Sequence, residues 1–462
     1  AAARDLESSG AVASAEPDYI AVPLAVPNDP RFGEQWNYGP SSAYGIGLPN
    51  AWSITKGSPS IVVAVLDTGI RPHVDFGTRI ITDGDYDMIS DSTLSNDGDG
   101  RDGDATDMGD YCADDPGSTS SWHGTHVAGT IAAATNNGVG VAGVDWNAKV
   151  LPVRVLGCDG GDFSQIADGI RYAAGLPVTG VPPNPHPADV INMSIGGYTG
   201  GGCTVIMQDA IDAATARGAI VVVAAGNDGD SAGLYSPASC NNVISVGATN
   251  RTGRAAFYSN YGSKLDVSAP GGDGAGGVLS TLNDGITTPG ADIYGSYMGT
   301  SMASPHVAGV VSLLLSLKPN LNIAGVESIL TSTAHAFAAG SDCPVLGCGA
   351  GIVDAGAALK QLRSKLLTVT AANGRQHWKV GTSRRITWAS TTPASNIKIE
   401  LLRKGQPTVA LKNVVSSSKH YWTWNIPTTT RVSTKALIKL TRTLPSGIVI
   451  SDQSNAYFYI QS

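Results

Sequence analysis

The sequence predicts an α/β protein, a mostly parallel sheet covered by helices on both faces, followed by a small all-β sandwich. Two observations carry this. Short apolar, β-branched runs recur at residues 61–66, 150–155, 190–193, 220–225 and 243–246. Each has the length and composition of a strand buried on both faces. Helical patterns at 124–135, 162–174, 205–217 and 301–316 alternate with them, and alternation of this kind builds parallel sheets with helix-covered faces. The texture then changes after Leu366. Helical patterns stop, and strand patterns follow at 383–388, 397–402, 420–426, 435–440 and 456–460, separated by Thr/Ser/Pro turns, which predicts a β-sandwich.

Composition agrees with two globular units. The 462 residues are 42% hydrophobic and 15% charged, with 57 glycines, enough to bury a sizeable core with many tight turns. The formal charge of −8 hides an asymmetry. Residues 365–462 carry 14 basic and 2 acidic residues, while the rest carries 16 and 36. Opposite charges suggest two domains, each with its own electrostatic partner; the chain as a whole does not read as a nucleic-acid binder. No run of about eighteen apolar residues predicts a membrane span. Residues 1–10 carry charges and lack an apolar leader core, so the start is expected to be processed or truncated. The six cysteines (Cys112, Cys158, Cys203, Cys240, Cys343, Cys348) form no CxxC pair and favour disulfides in an oxidising compartment over a metal site or buried thiols.

Three segments carry chemistry. Val63-Ala-Val-Leu-Asp67-Thr-Gly69 is a buried strand ending in an acid. A carboxylate there can fix an imidazole's tautomer and stabilise its charged form; alone, it reads as an Asp ending a strand in a turn. His123-Gly-Thr-His126-Val-Ala-Gly129 places a histidine where a loop enters a helix. The alternative, a metal pair at i, i+3, lacks the glutamate of HExxH and a third ligand. Gly299-Thr-Ser301-Met-Ala-Ser-Pro-His306 puts a serine at the start of an apolar helix, near free N–H groups and the positive end of the dipole; alone, it reads as an N-cap.

Together these segments resemble the subtilases, in which Asp, His and Ser follow one another in this order. The resemblance spans roughly residues 29–361 and implies a secreted serine endopeptidase of broad specificity, with Asp67, His123 and Ser301 as catalytic triad. Val190-Ile-Asn-Met-Ser-Ile-Gly-Gly197 resembles the family's substrate-binding strand, implying that Ser194, Ile195 and Gly196 pair with an extended peptide. Ala224-Ala-Gly-Asn227 resembles the segment supplying an oxyanion donor, implying that role for Asn227 and pocket-lining roles for Ala224, Ala225 and Gly226. An α/β-hydrolase is excluded, because its nucleophile comes first and sits in a GxSxG elbow. Ala15-Glu-Pro-Asp-Tyr-Ile20 resembles the last strand of the family's inhibitory prodomain, so the expected division is a prodomain remnant at 1–25, a catalytic domain at 26–364 and an accessory domain at 365–462. Disulfides Cys112–Cys158 and Cys203–Cys240 follow from similarity to disulfide-bearing bacterial subtilases, and Cys343–Cys348 from proximity along the chain.

Two calcium sites are expected. The loop Asp97-Gly-Asp99-Gly-Arg-Asp102-Gly-Asp104, continuing through Asp107 and Asp110, concentrates oxygen ligands among glycines, as calcium requires; a solvated acidic loop is the alternative. The second follows from the resemblance, which implies Asp75, Asn137 and Asp29 as ligands of a tight site on the loop 135–141. The C-terminal unit resembles the immunoglobulin-like domains of fungal cell-wall proteins in Ile386-Thr-Trp388, Ile397-Lys-Ile-Glu-Leu401, Trp422-Thr-Trp424 and Tyr457-Phe-Tyr-Ile460. Its tryptophans suit a core or an exposed binding face, and its basic surface a docking contact or an anionic polymer or cell surface.

Overall fold

The computed structural model describes residues 26–40, 43–274, 276–390, 396–444, 447 and 449–462; the expected prodomain remnant lies outside the described residues. The first large unit is built on seven parallel strands: β1 (Val62–Asp67), β2 (Tyr86–Asp87), β3 (Lys149–Arg154), β4 (Val190–Met193), β5 (Ile220–Ala224), β6 (Ile244–Thr249) and β7 (Val267–Pro270). They lie in the order β2-β3-β1-β4-β5-β6-β7, all parallel. The period-2 alternation of a strand divides the core in two. Val63 and Val65 of β1 face one side with Val150, Val190 and Val222, whereas Ala64 and Leu66 face the other with Val153, Met193 and Val223.

Helices α1 (His123–Ala132) and α4 (Thr300–Leu317) cover the first face, through Val127 and Ile131 and through Val307, Val311 and Leu314. Helices α2 (Phe163–Ala173) and α3 (Val205–Ala216) cover the second, through Ile166, Ile170, Met207 and Ile211. The predicted elements are therefore present, with ends moved by up to three residues. Helix α4 is long and apolar enough to cross a membrane, with a mean hydropathy of 1.3, but 94% of that stretch is buried within the protein. It is a core helix. Further elements gave no sequence signal. Strand β2 has only two residues, and the hairpin of Val278–Asn283 with Asp292–Tyr297 is antiparallel and packs against α1.

The C-terminal unit is all-β. One sheet pairs Leu367–Ala371, Ser383–Ser390 and Tyr421–Asn425; the other holds His377–Lys379, Phe458–Gln461, Ser433–Thr443, Asn396–Arg403 and Gln406–Ser416, with Val449–Gln453 alongside. Trp378, Trp388 and Trp424 are buried between them with Phe458, so these tryptophans form core rather than a binding face. The preceding helix, Ala355–Leu366, runs directly into the first strand at Leu367. The six cysteines pair as expected in Cys112–Cys158, Cys203–Cys240 and Cys343–Cys348.

The hairpin fixes α1 along its length. Ser280 Oγ donates to the His126 carbonyl at 2.7 Å and Thr281 Oγ1 to the Thr125 carbonyl at 2.8 Å. Such an approach needs a helix residue without a side chain at Gly129, where a Cβ would collide with both hydroxyl oxygens. Gly129→Ala is expected to cost about 1–3 kcal/mol by overpacking, read as a lower denaturation midpoint.

Candidate active site

Asp67 is the last residue of β1 and fully buried. Its Oδ1 accepts from His123 Nδ1 at 2.7 Å and from the Thr68 N–H at 2.8 Å. His123 opens α1, entered through Trp122 in the left-handed region (φ 52°). That conformation is costly for a bulky residue. It is held by a buried indole whose Nε1 donates to the Gly285 carbonyl at 2.7 Å. Thr68 joins the two segments a second time. Its Oγ1 accepts from the Gly124 N–H at 3.0 Å and donates to Asp107 at 2.7 Å. Burial works against the His123 imidazolium, but the charge of Asp67 and its hydrogen bond, helped by Asp110 and Asp107, raise its pKa above the usual histidine value. His126 is no metal partner: its Nε2 is shared between the Val278 and Gly295 carbonyls, and burial drives its pKa down to about 3.

Ser301 is the second residue of α4. His123, Asn227 and Ser301 line one cleft of about 720 Å³, and the Ser301 hydroxyl is donated to the Ser194 carbonyl at 3.0 Å rather than to the imidazole. Hydrogen bonds of this kind are often loose without substrate and tighten in the complex. Asn227 lies three residues beyond β5. Its Oδ1 accepts from both the N–H and the Oγ1 of Thr300, at 2.8 and 2.9 Å. Because an N–H can only be met by an oxygen, this fixes the amide orientation and leaves both Nδ2 protons for the cleft. No sequence motif pointed to this role for Thr300.

The same cleft is lined by Ser194, Ile195 and Gly196, which follow β4, and by Ala224, Gly226, Tyr235 and Pro237. Ala225 is not brought there: it is fully buried in a small cluster with Ala232, Ala238 and Leu265. Asp159, Asp162 and Asp228, absent from the sequence-based expectation, also border the cleft, as does Asp110, which was expected only within the acidic loop. Disulfide Cys112–Cys158 ties the segment carrying Asp110 to the wall carrying Asp159.

The expected metal ligands divide into two groups. Asp29 and Asp75 are buried, at 4% and 0% exposure, on either side of the loop 135–141. Asp29 accepts from the Asn136 and Asn137 N–H groups, and Asp75 from Asn137 Nδ2 and the Val141 N–H. Neither makes an ion pair among the described residues. Burial pushes the Asp75 pKa up to about 6, with the charge of Asp29 adding to it. Two desolvated carboxylates beside an amide, without a cation, fit a hard metal ion. The residues of the acidic loop are not gathered in this way. Asp97 is taken by the buried Arg154 at 2.6 Å and by Ser95. Asp102 and Asp104 accept the N–H two residues on, and Asp99 stays exposed. Asp107 is drawn beneath Asp67, bonded to Thr68 and Gly109, where burial raises its pKa to about 7. Among the described residues, the one group of three or more Cys, His, Asp or Glu side chains close enough to share an ion is Cys112, Cys158 and Asp159, and its sulfurs are joined in a disulfide.

Comparison with known proteins places these features among relatives. Residues 58–351 match the subtilase family (Peptidase_S8). An extracellular protease of Xanthomonas campestris pv. campestris is 52% identical over 363 residues, 77% of this chain and 60% of its own length. Thermitase of Thermoactinomyces vulgaris is 36% identical, over 63% of this chain and 85% of its own. In structure, a protease from Pseudoalteromonas arctica superposes with a TM-score of 0.69 at 52% identity, covering 73% of this chain and 100% of its own. The chain thus spans about three fifths of the length of the Xanthomonas relative.

If Asp110 acts on the imidazole through its charge, Asp110→Asn lowers the His123 pKa towards the ordinary value, because the anion that favours the protonated ring is gone. NMR titration of the His123 ring in the Ser301→Ala protein checks this: the parent is expected to titrate above the ordinary histidine value, and Asp110→Asn lower than the parent.

Proposed function

The chain belongs to the subtilase family, and from that premise we propose that it is a serine endopeptidase of broad specificity acting on proteins and peptides. The observation that carries this reading is the placement of His123, already held by Asp67 at 2.7 Å, on one cleft with Ser301 and Asn227. His123 takes the proton of Ser301 as its Oγ attacks the scissile carbonyl, then gives it to the leaving amine. Asp67 holds the imidazole in the tautomer that leaves Nε2 free to accept and stabilises the imidazolium as it forms. Negative charge developing on the carbonyl oxygen is met by Asn227 Nδ2 and the Ser301 N–H at the helix start. Such a donor is worth about 10²–10³ in kcat, a magnitude known from subtilisin. Water then hydrolyses the acyl-enzyme by the same route.

Residues 194–196 present backbone to an extended peptide, which adds a strand beside them, while Ala224 and Gly226 line the same cleft. Ala224, Gly226 and Pro237 leave room for an apolar side chain. The catalytic domain is assigned to residues 26–364 and the accessory domain to 365–462, with residues 1–25 as the remnant of a prodomain that acts as inhibitor. Relatives are named as extracellular proteases, and three disulfides suit the same oxidising compartment, so we assign the chain to the secreted proteins. The accessory domain, with its excess of basic residues, is assigned a docking role on an anionic polymer or cell surface.

Calcium is common among subtilases, and Asp29, Asp75 and Asn137 are the residues proposed to hold it here; its role is structural, since a bound ion stabilises the fold by mass action. Two tests follow. The wild type is expected to react with a fluorophosphonate at Ser301 and to hydrolyse casein, and Ser301→Ala to do neither while keeping its circular dichroism spectrum. A protein that kept near-normal turnover without this hydroxyl would remove the assignment. In the inactive Ser301→Ala protein, excess chelator is expected to lower Tm by several degrees, corresponding to about 2–3 kcal/mol for a site saturated a hundredfold. Asp75→Asn should start lower and lose most of its response to chelator.

A further inference from the structure

The carbonyl of Ser301 lacks its helical partner. In an unbroken helix the N–H of residue 305 would bond the oxygen of residue 301, but Pro305 stands there, inside α4, and proline has no N–H. The oxygen is not left bare, because Ser194 Oγ donates to it at 2.8 Å. Behind Ser194 runs a buried string. Asn192 Nδ2 donates to Ser194 Oγ at 3.0 Å, and Asn192 Oδ1 accepts from Ser304 Oγ at 2.8 Å. The direction of each bond is forced. The amide nitrogen can only donate, so the single proton of Ser194 is left for the Ser301 carbonyl. Asn192 and Ser304 are fully buried and Ser194 is 3% exposed, so water has little access to take the place of a missing link.

We propose that the Ser194 side chain is a positioning residue for the nucleophile: its hydroxyl supplies the hydrogen bond that Pro305 withholds and so holds the first turn of α4 in register with the cleft. This rests on Ser301 being the nucleophile, and it concerns the Ser194 hydroxyl rather than the main chain that pairs with substrate. Two residues thereby meet through two bonds, Ser194 Oγ to the Ser301 carbonyl and Ser301 Oγ to the Ser194 carbonyl. The second is made by the reacting hydroxyl and must open for catalysis; the first can persist throughout. Losing the first leaves a part-buried carbonyl unpaired. The turn then shifts, and with it the Ser301 hydroxyl and N–H. Substrate pairing with the strand backbone is untouched, so the cost falls on kcat.

A double-mutant cycle tests this, because Pro305→Ala returns the backbone N–H that Ser194 replaces. With an extended peptide anilide, Ser194→Ala is expected to lower kcat about tenfold with KM within about twofold, and Ser194→Thr, which keeps the hydroxyl, to recover most of the loss. In the Pro305→Ala background the same Ser194→Ala change should cost about threefold or less. Ser304→Ala offers a second route that leaves the proline in place: its smaller loss should vanish once Ser194 is already Ala. Equal losses in both proline backgrounds, a loss confined to KM, or strict additivity of the Ser304 and Ser194 changes overturns the proposal. Fluorophosphonate labelling of the wild type separates the two readings. If Ser301 is unlabelled, its assignment as nucleophile fails; if it is labelled while the cycle is additive, only the positioning role fails.

Discussion

A carboxylate with no access to solvent at the end of the central strand constrains much of what surrounds it. Asp67 is fully buried, and an ionised group in such a place must be met by hydrogen-bond donors. It is met by the His123 ring and the Thr68 N–H. The first of these requires α1 to begin within reach of the carboxyl end of β1. That approach in turn requires Gly124, where a Cβ would strike the Gly69 carbonyl, and a left-handed Trp122 to turn the chain into the helix. The geometry of the site and the packing of the first helix on the sheet are therefore one constraint.

Helix α4 meets the site from the other side, and three consecutive residues at its start divide the work. Gly299 carries the chain into the helix, Thr300 orients Asn227, and Ser301 presents the hydroxyl. Thr300 Oγ1 also accepts from the Gly226 N–H at 3.1 Å, so the loop after β5 and the start of α4 are locked by one side chain. Most of the rest of α4 is apolar and lies against the sheet. A rigid, buried helix anchors a short polar tip, which is how precise placement of a hydroxyl is reconciled with an open cleft.

The parts of this arrangement that were legible in the sequence are those written in local pattern. β-branched runs marked the parallel strands, and the three short motifs marked the residues at their ends. The parts that were not legible depend on contacts across long separations. Thr300 looks like an ordinary helix-start residue until Asn227 lies beside it. Asp107 looks like the end of an acidic loop until Thr68, 39 positions away, draws it inward. One of the loop's carboxylates is drawn elsewhere for a physical reason: Arg154, at the end of β3, is buried and needs counter-charges, and it takes Asp87 and Asp97. In the C-terminal unit, Gln406–Ser416 gave no strand signal because most of its residues are exposed and its register with Asn396–Arg403 is repeatedly shifted, which erases the alternation that a half-buried strand displays.

The two ends of α1 bear different loads. Its start is fixed by Asp67. Its end runs into the loop 135–141, where the Ala134 N–H donates to the Asp75 carbonyl at 2.6 Å and the Asp75 carboxylate is held by Asn137 and Val141. Asp75 stands eight residues after Asp67 on the same segment, so the chain leaving β1 grips the helix at both ends. The far grip contains two buried carboxylates and no basic partner among the described residues, a pair that repels itself unless a cation or a proton intervenes. A divalent ion there would offset that repulsion and strengthen the grip on the end of α1. It would do so without touching the cleft, through the far end of the helix whose start carries His123.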